Sequence, residues 1–358
     1  MIDPILSLAR PEILNLKAYV SARSQVTQAK IFLDANESPY PALPEKEFQG
    51  VNRYPDPQPK ELREKLAQWY GVTSEQLLLG RGTDDAIDCL IRTFCAAGKE
   101  SILICPPTYG VYQFYAEIQG AGVVCIPLQK EKGFSINTPA ILNQWDPTIK
   151  ILFLCSPNNP TGNTITPEEV TKLCKELLGR AIVVLDEAYL EFGDTKSCIF
   201  LLSQFSNLVL LRTLSKAWGL AGARCGVAIA NPTLIALLQK VRAPYPLATP
   251  SVRVVLEALG ERGVDQVRRR VDHIKKEREG LRSALQKLPM VEEIYPSEAN
   301  FLLVRIKDAV SFLQCCRKAE IIVRDRSTEL GLANCIRISV GTTEENRELI
   351  KTLQGERA

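Results

Sequence analysis

The chain has 358 residues, 46% of them hydrophobic, and a formal charge of +3 from 44 Lys and Arg against 41 Asp and Glu. That length allows one large domain, or a large and a small one, with enough core to enclose an active site. The mixed charge gives no reason to expect a nucleic-acid or membrane partner, and a single histidine excludes a multi-histidine metal site and disfavours a Ser-His-Asp hydrolase.

Residues 1–48 are broken by prolines and irregular, and are expected to wrap over a small domain or a neighbouring subunit. The first six residues lack a basic segment leading into an apolar core, and no apolar run reaches membrane-spanning length. Eleven cysteines without a Cys-x-x-Cys spacing read as reduced thiols, several of them inside apolar runs. A cytoplasmic location is expected.

From 77 to 230, short apolar runs alternate with helix-like stretches. Strands are predicted at 77–80, 101–105, 122–128, 151–155, 182–186, 208–212 and 225–230. Most are continuous rather than alternating, the pattern of strands covered by helices on both faces, so the fold class is α/β with a large, mainly parallel seven-stranded sheet. Beyond about 240 the pattern changes. A long charged helix over roughly 264–288 precedes strands at 301–304, 321–323 and 335–340 and a terminal helix from Thr343, which suggests a smaller α+β domain. The expected division is an amino-terminal arm with part of the small domain (1–48), a large domain (49–245) and a small domain (246–358).

The chemically suggestive residues fall just after the carboxyl ends of the strands, where open α/β sheets place their ligand crevice. Gly80-Arg81-Gly82-Thr83-Asp84-Asp85 turns from a strand into a helix whose first amides could seat a phosphate, though an ordinary capped turn reads the same way. Tyr109, after Pro106-Pro107-Thr108, offers a ring for stacking or for packing. Ser156-Pro157-Asn158-Asn159-Pro160-Thr161-Gly162 is a rigid turn able to fix an Asn amide in direction. Asp186 ends an apolar strand, where a carboxylate calls for a positive partner such as a protonated pyridine nitrogen. Lys216 follows another strand in Thr213-Leu214-Ser215-Lys216, with Ser215 and Arg224 able to complete a phosphate seat. Each says little alone. Together, an amine, a ring-facing carboxylate, an Asn and a Tyr for a phenolate oxygen, and a phosphate seat are the parts that bind pyridoxal 5'-phosphate.

With these residues the chain resembles the fold-type I pyridoxal-phosphate aminotransferases, and within them the branch that acts on histidinol phosphate. General features of the family are Ser156 to Gly162, Asp186-Glu187-Ala188-Tyr189, Ser215-Lys216 and Arg224. Narrower ones are Asp34-Ala35-Asn36-Glu37, Asn52-Arg53-Tyr54-Pro55, Gly82-Thr83-Asp84-Asp85, Arg212 to Ala217, Ala243-Pro244-Tyr245-Pro246 and Cys335 to Gly341. The resemblance implies that Lys216 bonds the cofactor and moves the proton, while Asp186 pairs with the ring nitrogen. It implies Asn159 and Tyr189 at the phenolate oxygen, Tyr109 stacked on the ring, and Thr83, Asp84, Ser215 and Arg224 at the phosphate. Tyr54 would come from the other subunit of a homodimer. Arg324 and Arg337, with Tyr19 and Asn36, would hold the substrate. Lys17-Ala18-Tyr19 lacks the proline that often precedes this Tyr in the family. The implied reaction is reversible transamination of L-histidinol phosphate with 2-oxoglutarate, giving imidazole acetol phosphate and glutamate, in histidine biosynthesis. A threonine-phosphate decarboxylase, an aromatic aminotransferase and a non-catalytic cofactor-binding regulator are the alternatives.

Overall fold

A computed structural model of the chain describes residues 4–19, 31–44 and 46–355. Seven strands form one sheet: β1 (Leu77–Gly80), β2 (Ser101–Ile104), β3 (Gly122–Cys125), β4 (Ile149–Cys155), β5 (Ile182–Asp186), β6 (Leu208–Thr213) and β7 (Gly226–Ala230), in the order β1-β7-β6-β5-β4-β2-β3. β7 alone runs opposite to the other six strands. The central strands are buried at nearly every position because each face carries its own core. Val183, Leu185, Leu208 and Leu210 point into one core, and Ile182, Val184, Val209 and Leu211 into the other. Alternate residues therefore need to be apolar on both sides, which produces the unbroken runs.

A second, antiparallel sheet, β8 (Val291–Ile294), β9 (Phe301–Ile306), β10 (Arg324–Asp325) and β11 (Cys335–Ser339), has the order β10-β11-β9-β8. Helices Ala309–Lys318 and Thr343–Gln354 pack on it with the carboxyl end of the long helix Glu261–Leu285, which contributes Leu281 and Leu285 to this core. The long helix also ties the segment after β5 to the segment before β9: Arg278 donates to the carbonyls of Phe192, at 3.1 Å, and Ala299, at 2.9 Å.

The structure corrects three expectations. Residues 321–323 are not a strand; the pairing begins three residues later, at Arg324, and lasts two residues. β8, with only four residues and an open burial pattern, has no counterpart among the predicted strands. At the start of the chain, helices Pro4–Leu8 and Pro11–Asn15 lie against the large sheet's helical layer rather than the small unit. There Ile5, Leu8 and Ala9 join Leu234 and Leu238 in one core, and Lys240 donates to the carbonyl of Leu14 at 2.9 Å. Helices of five residues are too short to show a periodic pattern.

Candidate active site

The carboxyl ends of β5 and β6 and the turn after β1 open onto one cleft of about 130 Å³. The register explains the convergence. Asp186 is opposite Cys155 on β4 and Leu211 on β6, so strand ends from three loops finish at one level. Thr83, Asp84, Tyr109, Asp186, Tyr189, Ser215, Lys216 and Arg224 all line this cleft.

Asp186 is 2% exposed. Its Oδ2 accepts from the Tyr112 hydroxyl at 2.9 Å and its Oδ1 from the Ala188 amide at 3.1 Å. Burial outweighs both bonds and pushes the carboxyl up to about 6. Lys216 reaches the solvent of the open cleft, yet protein packed around its amine partly desolvates it. That desolvation, then the charge of Arg337, moves its pKa below the ordinary lysine value, toward the neutral nucleophile. Its Nζ lies 5.5 Å from the centre of the Tyr189 ring. Burial raises the Tyr189 phenol, which stays a hydrogen-bond donor.

The opposite end of the cleft is cationic and rich in amides. The helix Thr83–Phe94 begins at Gly82 without a capping side chain, so its first-turn N–H groups point outward at the positive end of the helix dipole. Arg224, in a left-handed conformation with φ 51°, leans over this turn and pairs with Asp84 at 3.2 Å. The Tyr109 hydroxyl donates to the other Asp84 oxygen at 3.2 Å. Gly226 is required here: a Cβ on it would lie 2.3 Å from the Gly82 carbonyl carbon and 2.5 Å from the Thr83 nitrogen. β7 can approach the turn only because that side chain is missing.

Asn159 is buried beside the cleft. Its Nδ2 donates to the Tyr189 hydroxyl at 3.4 Å, and its Oδ1 accepts from Arg337 and, at 3.3 Å, from Arg326. Two arginines on one oxygen fix which way the amide faces. Arg324 is the sequence-predicted residue of this region, but its side chain is exposed, and Arg326, two positions on, reaches the site instead. Tyr19 is 70% exposed and lines neither this cleft nor the groove at Asn36 and Tyr54. Asn36 and Tyr54 line a separate groove with Arg53 and Thr249, and the Tyr54 ring stacks on Tyr245 at 4.5 Å.

Sequence reasoning also passed over Tyr112, fully buried and stacked on Phe153 at 4.7 Å. Its spacing of three from Tyr109, across the start of a helix, was the available signal. It missed the buried group behind the strand ends as well. Arg212 donates to Glu187 at 2.9 Å and to Glu191 at 2.6 Å, and Glu187 also accepts from Ser197 at 2.7 Å and the Cys198 amide at 2.8 Å.

The family profile described as aminotransferase class I and II matches residues 22–353. A histidinol-phosphate aminotransferase of Xanthomonas axonopodis pv. citri is 43% identical over 352 residues, 98% of this chain and 97% of that protein. The crystal structure of the histidinol-phosphate aminotransferase from Clostridium acetobutylicum superposes with a TM-score of 0.78 at 22% identity, over 86% of this chain and 92% of that one. The enzyme of the same name from Sinorhizobium meliloti, solved in complex with pyridoxal-5'-phosphate, gives 0.75 at 22% identity over 100% and 98%. At such identities these two structures speak to the fold.

Proposed function

The chain belongs to the class I and II aminotransferases, and we propose that it interconverts L-histidinol phosphate and 2-oxoglutarate with imidazole acetol phosphate and glutamate, using pyridoxal 5'-phosphate. The observation that carries the cofactor is a buried carboxylate and a partly desolvated lysine in one cleft, with uncapped helix amides and a guanidinium at its far end. Asp186 fits the group well, since its own surroundings disfavour its charge and a protonated ring nitrogen would restore it. When bound, the cofactor supplies an electron sink for the carbon that carries the substrate's amino group.

The chain's own residues would do the rest. Lys216 Nζ would hold the cofactor covalently and would serve as the base that takes and returns the proton at that carbon. Asp186, oriented by Tyr112 and Ala188, would hold the ring nitrogen protonated. Tyr189 Oη and Asn159 Nδ2 would bond the phenolate oxygen, Tyr109 would cover the ring, and the Thr83 and Asp84 amides, Ser215 and Arg224 would hold the phosphate. Arg337 would bind the carboxylate of glutamate, with Arg324 beside it on the paired strand, while Asn36, in the groove of Tyr54, and Tyr19, outside the cleft of its own chain, would assist at the partner's site. Tyr54, turned toward a separate groove in its own chain, would serve the partner's site in a homodimer. Eleven free thiols accord with a reducing cytoplasm. The relatives named as histidinol-phosphate aminotransferases support the choice of substrate.

Holoenzyme mixed with saturating histidinol phosphate should lose its long-wavelength cofactor absorbance and regain it on addition of 2-oxoglutarate. Carbon dioxide released from threonine phosphate without 2-oxoglutarate would identify a decarboxylase instead. A higher kcat/KM for phenylalanine than for histidinol phosphate would move the enzyme to the aromatic group.

A further inference from the structure

Beside the cleft, at Asn159, lies a cation that the proposed reaction does not use, Arg326. Arg324 pairs across the ladder with Arg337 and Asp325 with Ile336, and the Arg326 amide donates to the Cys335 carbonyl at 2.9 Å. The alternation of an antiparallel pair puts the side chains of Arg324, Arg326 and Arg337 on one face. Two of them meet at Asn159 Oδ1. Burial and then the neighbouring charge of Arg326 act against the Arg337 cation, so these like charges lie close in a partly desolvated place.

A turn folds Glu329 back onto Arg326, its amide donating to the Arg326 carbonyl at 3.0 Å, and the two side chains form an ion pair. The pair is incomplete. Arg326 Nε and Glu329 Oε2 are both buried without a hydrogen-bond partner. A bidentate pair would satisfy both groups; this single-point contact leaves bonding capacity on each.

We propose that Arg326 and Glu329 form a counterion-exchange pair that selects a phosphate-bearing substrate, the phosphate dianion displacing Glu329 from Arg326 and a monocarboxylate failing to do so. This rests on the proposed function and names the residues that set its specificity. A monocarboxylate brings the same charge and the same two oxygens as Glu329, which is already tethered in place, so exchange gains nothing. A phosphate monoester brings nearly two charges at neutral pH and three acceptor oxygens, enough for Arg326 Nε as well as for Arg337. The preference should fade below about pH 6, where the phosphate takes up its second proton.

The test is inhibition of the glutamate half-reaction of holoenzyme by phenyl phosphate and by benzoate, in wild type, R326Q, R326K and E329Q. R326Q should weaken phenyl phosphate by about tenfold or more and benzoate by less than about threefold, with partial recovery in R326K. E329Q should tighten benzoate by about threefold to tenfold, narrowing the ratio between the ligands from the other side. Unchanged resting cofactor absorbance would show that Asn159 still holds its place. Equal weakening of both ligands by R326Q, no tightening of benzoate in E329Q, or no inhibition of wild type by phenyl phosphate would each overturn the proposal. Neither ligand is the proposed substrate, so a wild type that ignores histidinol phosphate yet keeps the phosphate preference would refute the function while leaving Arg326 and Glu329 in their role.

Discussion

At the scale of single residues, Asp186 is held by a fold that disfavours its charge until a cation arrives. Its carboxyl rises from an ordinary 3.8 to about 6, so the folded chain binds the proton more tightly than the unfolded one. Stability of cofactor-free protein is then unaffected by this group below 3.8, falls as pH rises toward about 6, and has lost about 3 kcal/mol above that. Asp186→Asn in cofactor-free protein should abolish this loss. Its melting temperature should pull ahead of wild type between pH 4 and pH 6.5, and parallel curves across that window would refute the assignment. In holoenzyme the order should reverse, because the variant cannot pair with the ring nitrogen. Tyr112 works in the same direction as that nitrogen, since its hydroxyl, at 2.9 Å, favours the charged carboxylate. Tyr112→Phe keeps the stack on Phe153 but removes the bond, and should weaken cofactor binding by about tenfold or more in a fluorescence titration.

At the scale of elements, the site is a set of strand ends, and what fixes those ends is a buried charge cluster one residue further on. β5 and β6 pair Asp186 with Leu211, so the next residues, Glu187 and Arg212, meet on the opposite face of the sheet. Glu191 and Glu187 hold the Arg212 cation against the cost of its burial. Arg212→Gln leaves Glu187 buried without its cation and should cost about 3–5 kcal/mol in urea unfolding. A change under 1 kcal/mol would show the cluster to be idle. Gly226→Ala strikes the sheet one residue further along, from β7, where Gly226 faces Thr213. Its Cβ meets backbone rather than a side chain that could swing away, so the turn at Gly82 and Thr83 must shift. Cofactor affinity should fall by about tenfold before the fold itself is lost. These elements also mark how far the sequence could be read. The strands of the large sheet were visible because two-sided burial forces unbroken apolar runs in all but the edge strand β3, which is apolar without being buried, and Asp186, Lys216 and Tyr189 were visible because polar groups ending such runs need a reason. Arg326 was not. Choosing it over Arg324 needs the register of a two-residue strand and the reach of each side chain to Asn159, neither of which is local in sequence. Tyr112 and Arg212 were hidden for a similar reason, since a buried partner across two strands leaves no mark beyond an ordinary Tyr or Arg.

At the scale of the whole molecule, one chain presents nearly all of a site and keeps Tyr54 apart from it. Tyr54 stacks on Tyr245 at 4.5 Å and is half exposed, in a groove with Asn36 and Thr249, while the Lys216 cleft is lined by other residues. If a two-fold pairs these surfaces, each cleft takes Lys216 from one chain and Tyr54 from the other. Mixed dimers of Lys216→Ala and Tyr54→Ala chains distinguish this from a site built within one chain. In the shared arrangement, a heterodimer has one site with both native residues and one with neither, so random mixing should restore about a quarter of wild-type activity although each parent alone is nearly inactive. If Tyr54 instead served its own chain, every site in the mixture would lack one residue or the other, and activity would stay at the average of the two parents. Unfolding and refolding the variants together, followed by the histidinol phosphate assay, reads the difference directly.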